Sequence, residues 1–94
     1  MFSLTIRYLN QEALSVDEYA ARIEDAIRNR ESSVLFQYQD GDDSGDNIYA
    51  AYEKVSTHGH TVDGLVAGTD YYLTLGKSFN AKTCTVTITY RSAQ

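Results

Sequence analysis

The sequence contains no proline and no tryptophan, and it has one cysteine, Cys84. A single cysteine excludes an internal disulfide, and this composition favours a reducing, cytoplasmic location. No apolar run approaches the roughly 20 residues that span a bilayer, and the first residues lack the basic and apolar regions of a signal peptide. We therefore expect no membrane partner.

Basic residues are also few. Three lysines and five arginines stand against thirteen acidic residues, which gives a net charge of −5, and no two basic residues are adjacent. Nucleic-acid binding normally needs a clustered basic footprint, so direct contact with nucleic acid is not expected. The charge instead favours a protein partner that has a basic surface.

Catalytic signatures are missing as well. The sequence has no G-x-S-x-G elbow and no phosphate-binding glycine loop. Cys84 falls on the inward side of a predicted strand, as a structural cysteine does. His58 and His60 have the spacing of two metal ligands, but no further Cys or His supplies a dependable fourth ligand, and a turn explains them more simply. We expect no enzymatic activity and no bound cofactor or metal.

One helix is clearly indicated. Ser15 and Glu18 form a capping box, and Leu14 and Tyr19 stand at the positions of a hydrophobic staple. The residues that follow place apolar side chains at helical spacing on one face, namely Val16, Tyr19, Ala20, Ile23, Ala26 and Ile27. This pattern predicts a helix from about 16 to 30 that packs on one surface, most simply a sheet.

Several segments alternate apolar and polar residues with the period of a half-buried strand. They are residues 2–8, 33–39, 71–75 and 83–91. In the last segment Cys84, Val86 and Ile88 point inward and the threonines point outward.

Two further segments are less clear, and they complete the predicted fold. Residues 60–63 could add a short strand. Residues 47–56 fit either a helix or a strand, and we favour a strand that closes a hairpin. The predicted fold class is α+β, a single domain over residues 1–94. It has a mostly antiparallel sheet of about five strands with one amphipathic helix packed on one face.

The most acidic stretch is QDGDDSGDN. Asp40, Asp42 and Ser44 stand at the first, third and fifth places of an EF-hand-like loop. The twelfth place, which should supply a bidentate glutamate, is Ala51, so any calcium site would be incomplete and weak. We favour a solvated hairpin loop over a calcium site.

The same stretch could act as a patch of negative charge. Its carboxylates could imitate a nucleic-acid backbone toward a basic groove and steer a partner's approach. Tyrosines, which offer a large contact area with a polar tip, would anchor the contact. The candidate partner-binding residues are Asp40, Asp42, Asp43, Asp46, Tyr49, Tyr52, Glu53 and Tyr72.

Residues 61–75, TVDGLVAGTDYYLTL, resemble the E–F corner of fibronectin type III domains. The matching positions are Leu65, Gly68, Thr69 and Tyr71, with Ala67 where the family commonly has proline. In that family the tyrosine hydroxyl bonds to nearby backbone and pins the corner. The resemblance implies a β-rich structural or adhesion module. The capped helix and the missing strand C tryptophan depart from the family pattern.

By class analogy, and without a matching motif, a short acidic domain of this kind is similar to phage-type inhibitors such as anti-CRISPR proteins. The leading hypothesis is a small protein-binding module or inhibitor that occupies a basic surface of a partner, such as a nucleic-acid-binding surface. The alternatives are the adhesion module and a weak calcium-binding module.

Overall fold

The computed structural model describes residues 5–8 and 13–91. Within them the chain forms six strands and two helices, in the order β1 (Thr5–Tyr8), α1 (Val16–Arg28), β2 (Ser33–Gln37), α2 (Ser44–Ser56), β3 (Thr61–Val62), β4 (Leu65–Val66), β5 (Tyr71–Ser78) and β6 (Thr83–Tyr90). The part of the predicted strand 2–8 that precedes Thr5 lies outside the described residues.

Four of the strands form one sheet in the order β1-β2-β6-β5. Strands β1 and β2 are parallel and are joined through α1, whereas β2–β6 and β6–β5 are antiparallel. Strands β3 and β4 form a separate small hairpin. The α+β class and the mostly antiparallel sheet are confirmed, although the main sheet described has four strands and not about five.

Helix α1 begins as its sequence predicts. The Glu18 amide donates to Ser15 Oγ at 3.1 Å, and the Ser15 amide donates to Glu18 Oε1 at 3.0 Å. The bond from the Ser15 amide holds the pKa of the Glu18 carboxyl below its usual value. The helix ends at Arg28, two residues before the predicted end, and Arg30 adopts a positive φ of 56° that turns the chain toward β2.

Residues Ser44–Ser56 form a second helix, so the prediction of a strand for 47–56 was wrong. Ile48, Ala51 and Val55 recur at helical spacing and are fully buried. Neighbouring strands lie about 4.8 Å apart and packed helices about 10 Å apart, so one helix covers only about two strands. Helix α1 contacts β2, and α2 contacts β5 and β6. A second helix therefore completes the cover of the sheet.

The core lies between this helical layer and one face of the sheet. The inward side chains of the strands include Val34, Phe36, Leu73, Cys84, Val86 and Ile88, all buried. The predicted inward and outward alternation of β2, β5 and β6 is thus confirmed. Burial raises the pKa of the Cys84 thiol, as expected for a structural cysteine. The opposite face of the sheet exposes Tyr72, Thr74, Thr87 and Thr89.

Candidate functional site

The aspartate stretch links β2 to α2 and does not join two strands, so the prediction of a hairpin loop was wrong. Helix α2 starts in its middle, at Ser44. Asp42 Oδ1 accepts hydrogen bonds from the Ser44 amide at 2.9 Å and from the Ser44 hydroxyl, and these bonds lower the pKa of the Asp42 carboxyl. Aspartate and serine favour such local turns before a helix, so Asp42 serves local structure.

This geometry does not produce an EF-hand-like loop. From its fifth place, Ser44, to its twelfth, Ala51, the segment is helical and does not wrap around a point as a calcium loop does. In residues 5–8 and 13–91, no group of three or more His, Cys, Asp or Glu side chains is placed to hold a metal ion. His60 instead contacts Glu24, with 2.7 Å between Nε2 and Oε2.

The predicted partner-binding residues separate into several places. Asp40 forms an ion pair with Lys82, with Oδ2 and Nζ 2.6 Å apart, and Asp42 is bound to Ser44 as described above. Tyr72 alternates with the buried Tyr71 and Leu73 and therefore projects from the sheet face opposite the helices.

The remaining five residues lie together on α2 or at its start. They are Asp43, Asp46, Tyr49, Tyr52 and Glu53, which we call the acidic-tyrosine strip. Asp46, Tyr49 and Glu53 follow i, i+3, i+7 spacing, so they lie on one side of the helix, and all three are exposed. The structure thus brings these predicted contact residues together on a helix, although the sequence analysis favoured a strand for residues 47–56.

Two residues of the strip lie close to Tyr49. Its ring lies 6.0 Å from the Tyr52 ring, measured between centroids. The negative charge of Glu53, together with a side-chain hydrogen bond between the two residues, raises the pKa of Tyr49. Tyr52 in turn donates from its hydroxyl to the Leu73 carbonyl at 3.4 Å. Tyr49 is 50% exposed, so it is available for contact.

The strip also differs from several other exposed acidic positions, because its carboxylates have no cation as an ion-pair partner. Elsewhere Asp17 pairs with Lys54, Asp25 with Arg28 and Asp63 with Arg30. Among the ion pairs of residues 13–91, none involves Asp43, Asp46 or Glu53. Three exposed carboxylates without an ion pair therefore lie on the helix that carries Tyr49 or at its start.

Sequence reasoning missed one exposed residue near this region. Phe79, in the turn after β5, is 70% exposed, and the Lys77 ammonium lies 5.3 Å from its ring centroid and 4.6 Å from that of Tyr38. The sequence could have predicted the exposure of Phe79, because it is an aromatic residue next to Asn80 in a hairpin turn, and turns face solvent.

The segment that resembles a fibronectin corner has its own anchoring bond. The Tyr71 hydroxyl donates to the Val55 carbonyl at 2.8 Å, and the ring is fully buried. The acceptor lies in the last turn of α2, so this tyrosine fastens the start of β5 to the helix that carries the strip.

Neither α1 nor α2 is long and apolar enough to cross a membrane. No protein-family model matches this chain, and no curated protein or solved structure matches it significantly. Its function must therefore be inferred from its own side chains and their placement.

Proposed function

We propose that this protein is a small protein-binding module or inhibitor that occupies a basic surface on a partner, with the acidic-tyrosine strip as the contact. The observation that carries the proposal is a row of three unneutralised carboxylates, Asp43, Asp46 and Glu53, beside the half-exposed ring of Tyr49. Among the other exposed acids of the described chain, Asp17, Asp25, Asp40 and Asp63 pair with arginine or lysine. Glu18 and Asp42 accept hydrogen bonds from the Ser15 and Ser44 amides instead.

The strip offers the two parts that such contacts use. Unpaired carboxylates attract a basic surface over roughly 8 Å at physiological ionic strength and raise the association rate. A tyrosine supplies contact area and a polar tip. Tyr52, whose ring lies 6.0 Å from that of Tyr49, extends the aromatic surface available to a partner.

Helix stability explains only part of this arrangement. Carboxylates in the first turn interact favourably with the positive end of a helix dipole, which accounts for Asp43 and Asp46. Glu53 lies in the last turn of α2, where that dipole disfavours a carboxylate. Its place beside an exposed tyrosine is better explained by a partner.

The partner class follows from the charge. Surfaces that bind nucleic acid are the strongly basic surfaces of many proteins, so an inhibitor that covers one, as anti-CRISPR proteins do, is the narrower form of the proposal. Helical residues 16–28 occupy the part of the chain that a fibronectin-like sandwich would need for a strand, which weighs against the adhesion alternative. No observation favours calcium binding.

A paired comparison of variants tests the contact. The double variant D46N/E53Q removes two unpaired strip charges, and the control D25N/D63N removes two charges that already pair with arginines. Both variants change the net charge equally. In quantitative pull-downs from the source cells, we expect a partner that the wild type and the control retain and D46N/E53Q loses. A partner retained equally by all three would contradict the proposal.

A further inference from the structure

Strand β5 lies at one edge of the sheet. Its hydrogen bonds show which of its backbone amide and carbonyl groups point away from the sheet. The Arg91 amide donates to the Asp70 carbonyl at 2.8 Å, so the carbonyl of Asp70 points toward β6. Because the backbone amide and carbonyl groups alternate along an antiparallel strand, those of Tyr71, Leu73, Leu75 and Lys77 point away from the sheet. Two contacts agree, since the Tyr71 carbonyl accepts from the Gly68 amide and the Leu73 carbonyl accepts from Tyr52.

The second half of this edge is open. Gly68 and Ala67 lie against its beginning at Tyr71, and Tyr52 reaches only the Leu73 carbonyl. In the part of the chain that the structure describes, β5 pairs with β6 alone, and the outward amide and carbonyl groups of Leu75 and Lys77 have no backbone partner. Unpaired groups of this kind form a template for another strand.

The exposed aromatic rings surround the same edge. The large hydrophobic residues with the greatest exposure are Phe79 at 70%, Tyr49 at 50% and Tyr72 at 46%. Tyr49 lies on the helix side of β5, Tyr72 on the opposite face of the sheet and Phe79 just beyond the end of the strand. An added strand would place its side chains alternately on these two sides. An exposed aromatic side chain is available for contact on each side.

Helix α2 runs alongside this edge in the opposite direction. Its last turn bonds Tyr71 through the Val55 carbonyl, its middle bonds Leu73 through Tyr52, and its first turn lies near Lys77, whose Nζ is 3.8 Å from the position of a Cβ on Gly45. Helix α2 therefore follows the free edge along its length, with Tyr52 turned toward β5 and with Asp46 and Glu53 on the outer side of the helix, opposite its buried face.

We propose that the free edge of β5 takes up an extended segment of a partner protein as an added strand, with basic side chains of that segment on the α2 side of the edge, where the acidic-tyrosine strip attracts them. This inference rests on the proposed function and names its mode of recognition. Asp46 and Glu53 lie about 10 Å apart along the helix axis, and alternate residues of a strand lie about 7 Å apart. Two or three lysines or arginines at alternate positions match the strip, while backbone hydrogen bonds to Leu75 and Lys77 supply affinity.

The charge selects a basic partner over a second copy of this chain. Antiparallel pairing of two β5 edges would place both α2 helices on the same side of the joined sheet and bring the two strips toward each other. Each chain carries a net charge of −5, and like charges at this distance repel.

Two lysine substitutions separate strand addition from charge attraction. Lys77→Pro removes an outward amide and leaves the hydrogen bonds to β6 intact, since proline is tolerated on edge strands, and Lys77→Ala is the matched control that loses only the side chain. The probe is a short peptide of alternating lysine and valine, with a glutamate–valine peptide as negative control. We expect K77A to bind the lysine peptide as the wild type does and K77P to bind it at least about fivefold more weakly, because one backbone hydrogen bond is lost.

Amide hydrogen exchange of the wild type gives a readout that does not depend on how the variants fold. On addition of the lysine peptide, the amides of Leu75 and Lys77 should gain protection, while those of Tyr72 and Thr74, which already face β6, should change little. If D46N/E53Q weakens binding but no edge amide gains protection, strand addition is wrong and the strip contact stands. If no peptide binds, the mode of recognition is wrong. A wild-type dimer that K77P dissociates would contradict a basic partner as the occupant.

Discussion

At the scale of single residues, two tyrosines show how burial raises the pKa of a phenol. The Tyr71 hydroxyl donates to the Val55 carbonyl and the Tyr90 hydroxyl donates to the Glu31 carbonyl at 2.7 Å. Burial raises the pKa of each phenol to about 12. The sequence predicted Tyr71 as an inward residue of a strand, but its acceptor could not be predicted, because Val55 belongs to a helix that was expected to be a strand.

These two phenols predict an alkaline loss of stability. In the unfolded chain a tyrosine ionises near pH 10, whereas in the folded protein both phenols keep their protons until about pH 12. Their contribution is therefore complete below pH 10 and is lost between about pH 10 and 12. Urea unfolding across this range should show the free energy of unfolding falling as pH rises.

A Tyr71→Phe variant tests the assignment. It should be less stable than the wild type near neutral pH by about 1–2 kcal/mol, because the Val55 carbonyl loses its buried donor. Its free energy of unfolding should also fall less steeply between pH 10 and 12, since one of the two phenols whose pKa is raised to about 12 is gone. An unchanged slope would show that Tyr71 does not carry the effect.

At the scale of elements, the two helices show what a local pattern can and cannot predict. Helix α1 carries a capping box and a one-sided apolar stripe, signals that no strand shares, and it begins where they predict. In α2, Ile48, Ala51 and Val55 follow a helical period, but Ile48, Ala50 and Tyr52 also alternate. The helix is favoured because it buries the inward faces of β5 and β6. This burial depends on the assembled sheet and cannot be read from the local pattern.

The capping box of α1 gives a prediction at this scale. Ser15→Ala should lower the free energy of unfolding by about 1 kcal/mol, because the Glu18 amide loses its acceptor. Asp17→Asn, two residues further on, removes only an exposed ion pair with Lys54 and should change stability much less. Thermal and urea unfolding of the two variants compare them directly, and equal losses would contradict the account of the cap.

At the scale of the whole molecule, the candidate site depends on which residues become neighbours in the fold, and the sequence pattern alone does not show this. Asp43, Asp46, Tyr49, Tyr52 and Glu53 were all predicted as contact residues, and α2 is what places them in one row. Asp40 forms an ion pair and Asp42 stabilises a turn. The composition of the sequence cannot predict either contact. Tyr72 and Phe79 join the region from the far side and the end of β5, which requires knowledge of the sheet edge.

The arrangement of the whole molecule points to recognition along one side. Two helices cover one face of the sheet, α2 lies along its β5 edge, and three exposed acids without an ion pair lie on α2 or at its start. A charged row beside an open strand can select a basic extended segment by attraction, backbone pairing and aromatic contact together.

The central claim, that the acidic-tyrosine strip guides and anchors a basic partner, is tested most directly by the association rate of the captured partner at increasing salt concentration. For the wild type and D25N/D63N, we expect the rate to fall steeply with ionic strength, and for D46N/E53Q we expect a slower rate at low salt with a flatter dependence. Identical salt dependence in all three proteins would contradict the account.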